Sequence, residues 1–130
     1  MRRPAKSLVQ AYLRMIADRM GCKDWEITLG EDVVAEDDAY AVVETYPGHR
    51  AVVTLCASFS ELPARRQRHY LVHEICHLHT HRLRQIAEDL LAGAGAVGAS
   101  VELMIEDADE HAVEVFAKLL EDQLPLPRFS

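Results

Sequence analysis

The segment HEICH, residues 73–77, has the spacing of a hydrolytic metal site. On a helix, residues four apart lie one turn above another, so His73 and His77 direct their imidazoles to the same side. Two neutral imidazole nitrogens on a rigid helix suit Zn²⁺. Glu74 is rotated by about 100° from His73, which lets its carboxylate reach a metal-bound water without binding the metal. The pattern therefore predicts His73 and His77 as zinc ligands and Glu74 as the general base.

More histidines follow this motif, so a chance match in a histidine-rich helix is the competing interpretation. His81 shares the predicted face with His73 and His77. Eight residues of helix span about 12 Å, however, which is too far for all three to bind one ion. His79 points elsewhere, and we expect both His79 and His81 to have a solvated surface role. Apolar flanks that bury the back of the helix favour the metal site: Leu71, Val72, Ile75 and Leu78.

A catalytic zinc needs a third protein ligand and an open position for water. A third histidine at the spacing H-E-x-x-H-x-x-G-x-x-H is excluded, because Leu83 occupies its position. The remaining arrangement takes a carboxylate from the last helix. Apolar residues at helical spacing predict the buried stripe of that helix: Val113, Phe116, Ala117 and Leu120. Glu110 lies one turn before Val113 on this stripe and is the preferred third ligand.

Other residues of the same helix remain open as the third ligand: Glu106, Glu114 and His111. Glu106 extends the stripe outward, and Glu114 lies at its edge. Asp107 and Asp109 are expected to point toward solvent. The alternative for any one of these acids is an exposed helix carboxylate, which is common in a chain with a net charge of −7.

The segment before the motif predicts one helix and three strands. The alternating segment WEITL, 25–29, indicates a half-buried strand, and two β-rich runs around Pro47 and Gly48 predict a hairpin. The polar segment 34–39 is expected to be a loop. Gly21 would end the first helix, whose apolar residues recur at helical spacing: Leu8, Ala11, Tyr12, Met15, Ile16 and Met20.

The motif lies on a long predicted helix, with Ser60 as its N-cap and Pro63 in its first turn. The helical pattern continues as far as Leu91. The glycine-rich segment 93–98 then interrupts it, as a flexible tether or as a gate over the cleft. A last helix is predicted over 101–122. This order predicts an α+β fold with an N-terminal helix, a small three-stranded antiparallel or mixed sheet, the motif helix and C-terminal helices.

A chain of 130 residues that is 49% apolar and 27% charged fits one globular domain, residues 1–130. Its net charge of −7 argues against nucleic acid as the main partner. No apolar run is long enough to cross a membrane, and we expect no secretory signal. The three scattered cysteines do not suggest a disulfide framework: Cys22, Cys56 and Cys76. We therefore expect a cytoplasmic protein with no membrane partner.

The segments YLVHEICHLH and EHAVEVFAKLL together resemble the ImmA/IrrE-type zinc metallopeptidases and the similar small peptidases encoded by phages. In that group, an HExxH helix is followed by a helix of the form E-x-x-A-x-x-F-A-x-x-L-L. Val113 stands at the first alanine of that form, and Glu121 at its final leucine. The resemblance implies a minimal zincin-like fold and peptidase activity. It also implies three zinc ligands and a catalytic base, Glu74; the ligands are His73, His77 and Glu110.

These observations predict a zinc-dependent peptidase that acts on a protein or peptide. An extended substrate would pair with an edge strand of the hairpin. Tyr70 and His111 are candidates for stabilising the oxyanion, and Cys76 is expected to pack as a small apolar residue. Two alternatives remain open: a catalytically idle binding module with the same fold, and a metal-dependent hydrolase of a non-peptide substrate. The oligomeric state is also open.

Overall fold

A computed structural model describes residues 5–31, 40–95 and 98–129 of the chain. Its first helix, α1, spans Lys6–Arg19. Gly21 follows with a left-handed φ of 82°, a conformation that favours glycine because it has no Cβ. The predicted end of the first helix at Gly21 is confirmed.

In the described residues, three strands form one mixed sheet in the order β1-β3-β2: β1 (Glu26–Leu29), β2 (Ala41–Tyr46) and β3 (Arg50–Leu55). β1 pairs with β3 in parallel, and β2 pairs with β3 antiparallel. The predicted hairpin is confirmed, and its turn uses positive φ at Gly48 (85°) and His49 (55°). The polar segment 34–39, predicted as a loop, lies outside the described residues.

The motif helix, α2, spans Ala64–Gly93. The prediction of Ser60 as its N-cap is wrong. Ser60 lies in a short 3₁₀ turn, Phe59–Glu61, and Pro63 takes the N-cap position. The reason is Leu62, which precedes a proline and is held in an extended conformation (φ −73°, ψ 144°) that interrupts any helix.

The helical pattern predicted beyond the motif is confirmed, since α2 continues to Gly93. Gly95 follows with a φ of 76°. The glycine-rich segment 93–98 lies partly outside the described residues, so its role as a tether or a gate stays a prediction.

The last helix, α3, spans Ala99–Leu120 and packs mainly on α2. Val113 and Ala117 are fully buried, as predicted. Phe116 and Leu120 are 51% and 39% exposed, so this part of the predicted stripe is wrong. The cause is the pairing of α3 acids with α2 histidines, which turns the helix away from its larger apolar residues.

The core lies between α1, the sheet and the apolar back of α2, and its fully buried residues include Leu13, Ile16, Val53, Leu71 and Ile75. The residues after α3 close one side of it. The Tyr12 hydroxyl donates to the Pro125 carbonyl (2.8 Å), and its ring meets Phe129 edge to face at 5.6 Å. The sequence predicted the end of the last helix but not this return into the core.

The α+β architecture of three helices and a three-stranded mixed sheet is therefore shown for the described residues. Within the same residues, none of the helices has the length and apolarity that a membrane span requires. All three cysteines are free thiols, and burial raises the pKa of Cys76 to about 12, with Cys22 adding to the shift. Cys76 therefore packs as a small, neutral core residue, as predicted.

Two leucines of α1 test this packing. Leu13 is fully buried, whereas Leu8, one of the apolar residues that predicted this helix, is 46% exposed. We expect Leu13→Ala to lower the free energy of unfolding by about 2–5 kcal/mol, because it leaves a cavity. Leu8→Ala should change it by less than about 0.5 kcal/mol. Urea unfolding followed by circular dichroism measures both, and equal losses would contradict the described orientation of α1.

Candidate metal centre

A polar seam runs between α2 and α3. Histidines occupy every fourth position of α2 on the side that meets α3: His69, His73 and His77. Four acids meet these histidines, one from the turn after α3 and the rest from α3 itself: Asp109, Glu110, Glu114 and Glu121. The contacts run in opposite order along the two helices, so α2 and α3 are antiparallel. The four-residue period on both helices brings imidazoles and carboxylates together one turn at a time.

Glu110 lies between the two histidines of the HEICH motif. Its Oε1 is 3.0 Å from Nε2 of His77, and its Oε2 is 3.3 Å from Nε2 of His73. The two imidazole rings are 5.0 Å apart between centroids, at an angle of 72°. The structure therefore brings together the three residues that the sequence singled out as zinc ligands.

A second carboxylate lies behind each of these histidines. His73 Nδ1 is 3.3 Å from Glu114 Oε2, and His77 Nδ1 is 3.3 Å from Asp109 Oδ2. A carboxylate facing Nδ1 favours the tautomer with its proton there and leaves the Nε2 lone pair free. Both Nε2 atoms face Glu110, so both rings are oriented as metal ligands are.

The prediction that Asp109 points toward solvent is wrong, since its side chain is only 7% exposed. Arg84 donates to Asp109 Oδ2 at 3.3 Å, and His77 lies on the same oxygen. Its other oxygen, Oδ1, is buried and has no hydrogen-bond partner among the described residues. This carboxylate is drawn inward because the guanidinium and the imidazole are both on the α2 side.

Glu74 lines the same cavity as His73 and His77 and is 7% exposed. Burial, with a smaller effect from the nearby charge of Glu110, raises the pKa of Glu74 to about 8. The Val43 backbone N–H donates to this carboxylate and opposes the shift. The motif's acid therefore faces the sheet and the cavity, on a different side of α2 from the seam with α3.

An open cavity of about 470 Å³ lies over the motif, between β2 and the seam. Its walls include Val43, Tyr70, His73, Glu74 and His77. Burial, and next the neighbouring His77, lower the pKa of His73, while Glu110 and Glu114 oppose that shift. His73 is therefore favoured as the neutral imidazole, the form that binds a metal.

Of the two candidates for stabilising an oxyanion, Tyr70 lines the cavity and His111 does not. The Tyr70 hydroxyl accepts a hydrogen bond from Arg66, and its ring packs on Tyr40 at 4.9 Å. His111 is exposed on α3. The exposed Glu106 is likewise absent from the described clusters that could hold a metal.

The remaining histidines of α2 bind other parts of the fold. His79 is exposed but pairs with the carbonyl of Met20, at the end of α1. His81 lines the cavity and lies 3.3 Å from the Thr45 hydroxyl, with its ring edge on Trp25. Neither belongs to a described group that could hold a metal. His79 is exposed, as predicted, but His81 is half-buried, so the solvated surface role predicted for His81 is wrong.

The geometry of His73, His77 and Glu110 fits a zinc ion. One ligand atom from each lies within 4.8 Å of the others. Zinc–ligand bonds of about 2.0–2.1 Å place neighbouring atoms of a tetrahedral shell about 3.3 Å apart. The separations of 3.0 Å from Glu110 Oε1 to His77 Nε2 and 3.3 Å from Glu110 Oε2 to His73 Nε2 are similar to that edge, and each involves a different oxygen of Glu110. In addition, the buried Oδ1 atom of Asp109 has no hydrogen-bond partner among the described residues. The negative charge of this carboxylate is therefore only partly compensated.

Three residues of the seam were missed by the sequence reasoning: His69, Asp109 and Glu121. His69 carries a usable signal, because it continues the four-residue series of His73 and His77 toward the helix start. Asp109 carries none, since its inward direction depends on Arg84, a residue 25 positions away in the chain. Long-range pairing of that kind is not encoded in local periodicity.

Comparisons with protein-family models, with curated proteins and with solved structures find no match to this chain.

The choice among the candidate third ligands can be measured directly. We expect Glu110→Gln to lower zinc affinity by about 10²-fold or more, because an amide replaces a charged ligand. Glu106→Gln, one turn away and exposed, should leave the affinity unchanged. Competition with a chromophoric chelator gives both values. If Glu106→Gln lowered the zinc affinity and Glu110→Gln did not, the third ligand would be Glu106.

The carboxylate behind His77 should matter as well. We expect Asp109→Asn to weaken zinc binding by about 10–100-fold, the usual cost of losing a carboxylate that orients a ligand histidine. Asp107→Asn is the matched control, since Asp107 is exposed on the same helix. Equal affinities for the two variants would show that Asp109 has no part in positioning His77.

Proposed function

We propose that the protein is a zinc-dependent peptidase with a minimal zincin arrangement. The observation that carries the proposal is the convergence of the His73 and His77 Nε2 atoms on Glu110, beside the cavity that Glu74 lines. A His₂Glu ligand set leaves one tetrahedral position for water, as catalytic zinc sites do. Structural zinc sites, in contrast, are closed by four protein ligands.

When bound here, zinc would supply a Lewis acid that polarises the scissile carbonyl and lowers the pKa of water. Glu74 takes the proton of the attacking water and passes it to the leaving amine. Its buried carboxylate lies beside the Val43 N–H and lines the cavity. Burial raises the pKa of Glu74 and so favours its protonated form. A metal ion bound nearby would lower that pKa and favour the ionised form that this step needs.

Tyr70 is the residue we assign to the developing oxyanion. Its hydroxyl lies on the cavity wall and accepts a hydrogen bond from Arg66, which leaves the hydroxyl proton free to be donated. The Arg66 guanidinium also lies 5.4 Å from the Tyr70 ring. A positively charged donor makes the phenol a better hydrogen-bond donor to an anion.

β2 offers a surface for an extended polypeptide. In the order β1-β3-β2 it is an edge strand, and it lines the cavity. The Cys56 N–H bonds the Tyr40 carbonyl, and this register directs the backbone of Ala41, Val43 and Thr45 away from β3. Apart from the Val43 N–H, which is directed at Glu74, those groups can pair with a substrate strand above the seam. This geometry favours a peptide over a compact non-peptide substrate.

The role of Glu74 is tested by separating metal binding from turnover. We expect Glu74→Gln to keep zinc and to lower cleavage of denatured casein and of a quenched peptide library by about 10²–10⁴-fold, because the general base is lost. His77→Gln should lose both the tightly bound zinc and cleavage. Glu102→Gln, exposed at the start of α3, is the control and should retain both.

Two results would contradict the proposal. Cleavage by Glu74→Gln at the wild-type rate would remove the assigned general base. A wild-type protein that holds one zinc but cleaves neither substrate would favour a catalytically idle binding module.

A further inference from the structure

The polar seam holds a second group of possible metal ligands, one helical turn from the first. His69 Nε2 is 2.8 Å from Glu114 Oε1, and His73 Nδ1 is 3.3 Å from Glu114 Oε2. One ligand atom from each of these three residues lies within 4.8 Å of the others. The group therefore offers two nitrogens and a carboxylate, the same donor set as His73, His77 and Glu110.

His69 is oriented as a ligand histidine is. Its Nδ1 pairs with Glu121 Oε2 at 2.6 Å, and its Nε2 faces Glu114. Glu121 therefore contacts Nδ1 of His69 in the same way that Asp109 contacts Nδ1 of His77. The His69 side chain is 20% exposed, so an ion from solvent can reach it.

The charge of the seam also favours a second cation. Four carboxylates contact the three histidines. Among the contacts described for these four acids, the only permanent positive charge is that of Arg84, which pairs with Asp109. Arg84 compensates one of the four negative charges. A single divalent ion between His73 and His77 would compensate two of the remaining three. The surplus lies at the His69 end, where Glu114 and Glu121 meet one imidazole.

We propose that His69, Glu114 and the Nδ1 side of His73 form a second, weaker site for a divalent transition-metal ion such as Zn²⁺ or Co²⁺. Nitrogen and carboxylate donors in this proportion suit such ions better than Mg²⁺ or Ca²⁺. This proposal rests on the proposed function in one respect: it takes His73, His77 and Glu110 as the first zinc site. Because His73 Nε2 holds the first ion, binding of the second ion at Nδ1 displaces the Nδ1 proton to solvent, and His73 then bridges the two ions as an imidazolate.

The two sites are coupled because they share His73 and Glu114. In the first site, Glu114 orients His73 from its Nδ1 side. An ion at the second site takes that oxygen and that nitrogen for itself. The two divalent ions, held on one ring, also repel each other. Filling the second site therefore lowers the affinity of the first site, and excess zinc inhibits the peptidase.

Metal titration of the apoprotein with Zn²⁺ and with Co²⁺ tests this directly. We expect wild type to bind a first equivalent tightly and a second at least about tenfold more weakly. His69→Gln should bind one equivalent, tightly, and should lose inhibition by excess zinc. His77→Gln should also bind one equivalent, but weakly, through the second site. His111→Gln, an exposed histidine on α3, is the matched control and should behave as wild type.

Glu114→Gln provides a second variant that keeps every histidine. It should lose the weaker equivalent and bind the first about 10–100-fold less tightly, the range for losing an orienting carboxylate. Circular dichroism of each apoprotein confirms that the variants are folded.

The outcomes separate the two proposals. If wild type and His69→Gln both saturate at one tight equivalent and His77→Gln binds none, the second site is wrong and the first stands. His69 would then be an imidazolium that bridges Glu114 and Glu121. If His77→Gln binds as wild type does while His69→Gln binds none, the first site is wrong and the second stands.

Discussion

Neutralising the carboxylates between α2 and α3 is the constraint on which the site depends. Asp109 is almost wholly buried, and Glu110 is held between two imidazoles that are neutral in their metal-binding form. An ionised carboxylate taken out of water costs several kcal/mol, roughly, unless positive charge is close. Arg84 provides this for Asp109. The Glu110 side chain is 50% exposed, so it keeps part of its hydration. The proposed divalent cation, shared with His73 and His77, would neutralise the rest of its charge and would link metal binding to the pairing of the two helices.

The apolar packing behind the seam keeps the ligands in place. Leu71 and Ile75 lie on the buried side of α2, and Val113 and Ala117 anchor α3 beside the acids. These residues fix the rotation of both helices, and that rotation decides which polar atoms meet. Ligands on rigid, well-packed helices lose little freedom on binding an ion, which is the physical basis of a preorganised site. β2 adds the remaining wall, where the Val43 N–H lies beside Glu74.

The parts of the site that were predictable from sequence follow from covalent geometry. The four-residue spacing of His73 and His77 and the 100° offset of Glu74 are properties of any α-helix, so a local pattern was enough. The choice of Glu110 depended on the facing side of α3, and there the reasoning was only partly right. Val113 is buried, but Phe116 is not, because polar pairs rather than apolar bulk set the rotation of this helix. Asp109 was misjudged for the same reason.

The most direct measurement of the central claim is zinc K-edge X-ray absorption on the protein loaded with one equivalent of the metal. The account predicts two imidazole nitrogens at about 2.0–2.1 Å and a carboxylate oxygen at about 2.0–2.2 Å, with a further light atom from water. A shell that contains sulfur at about 2.3 Å, or oxygen alone without the outer scattering of imidazole rings, would contradict it.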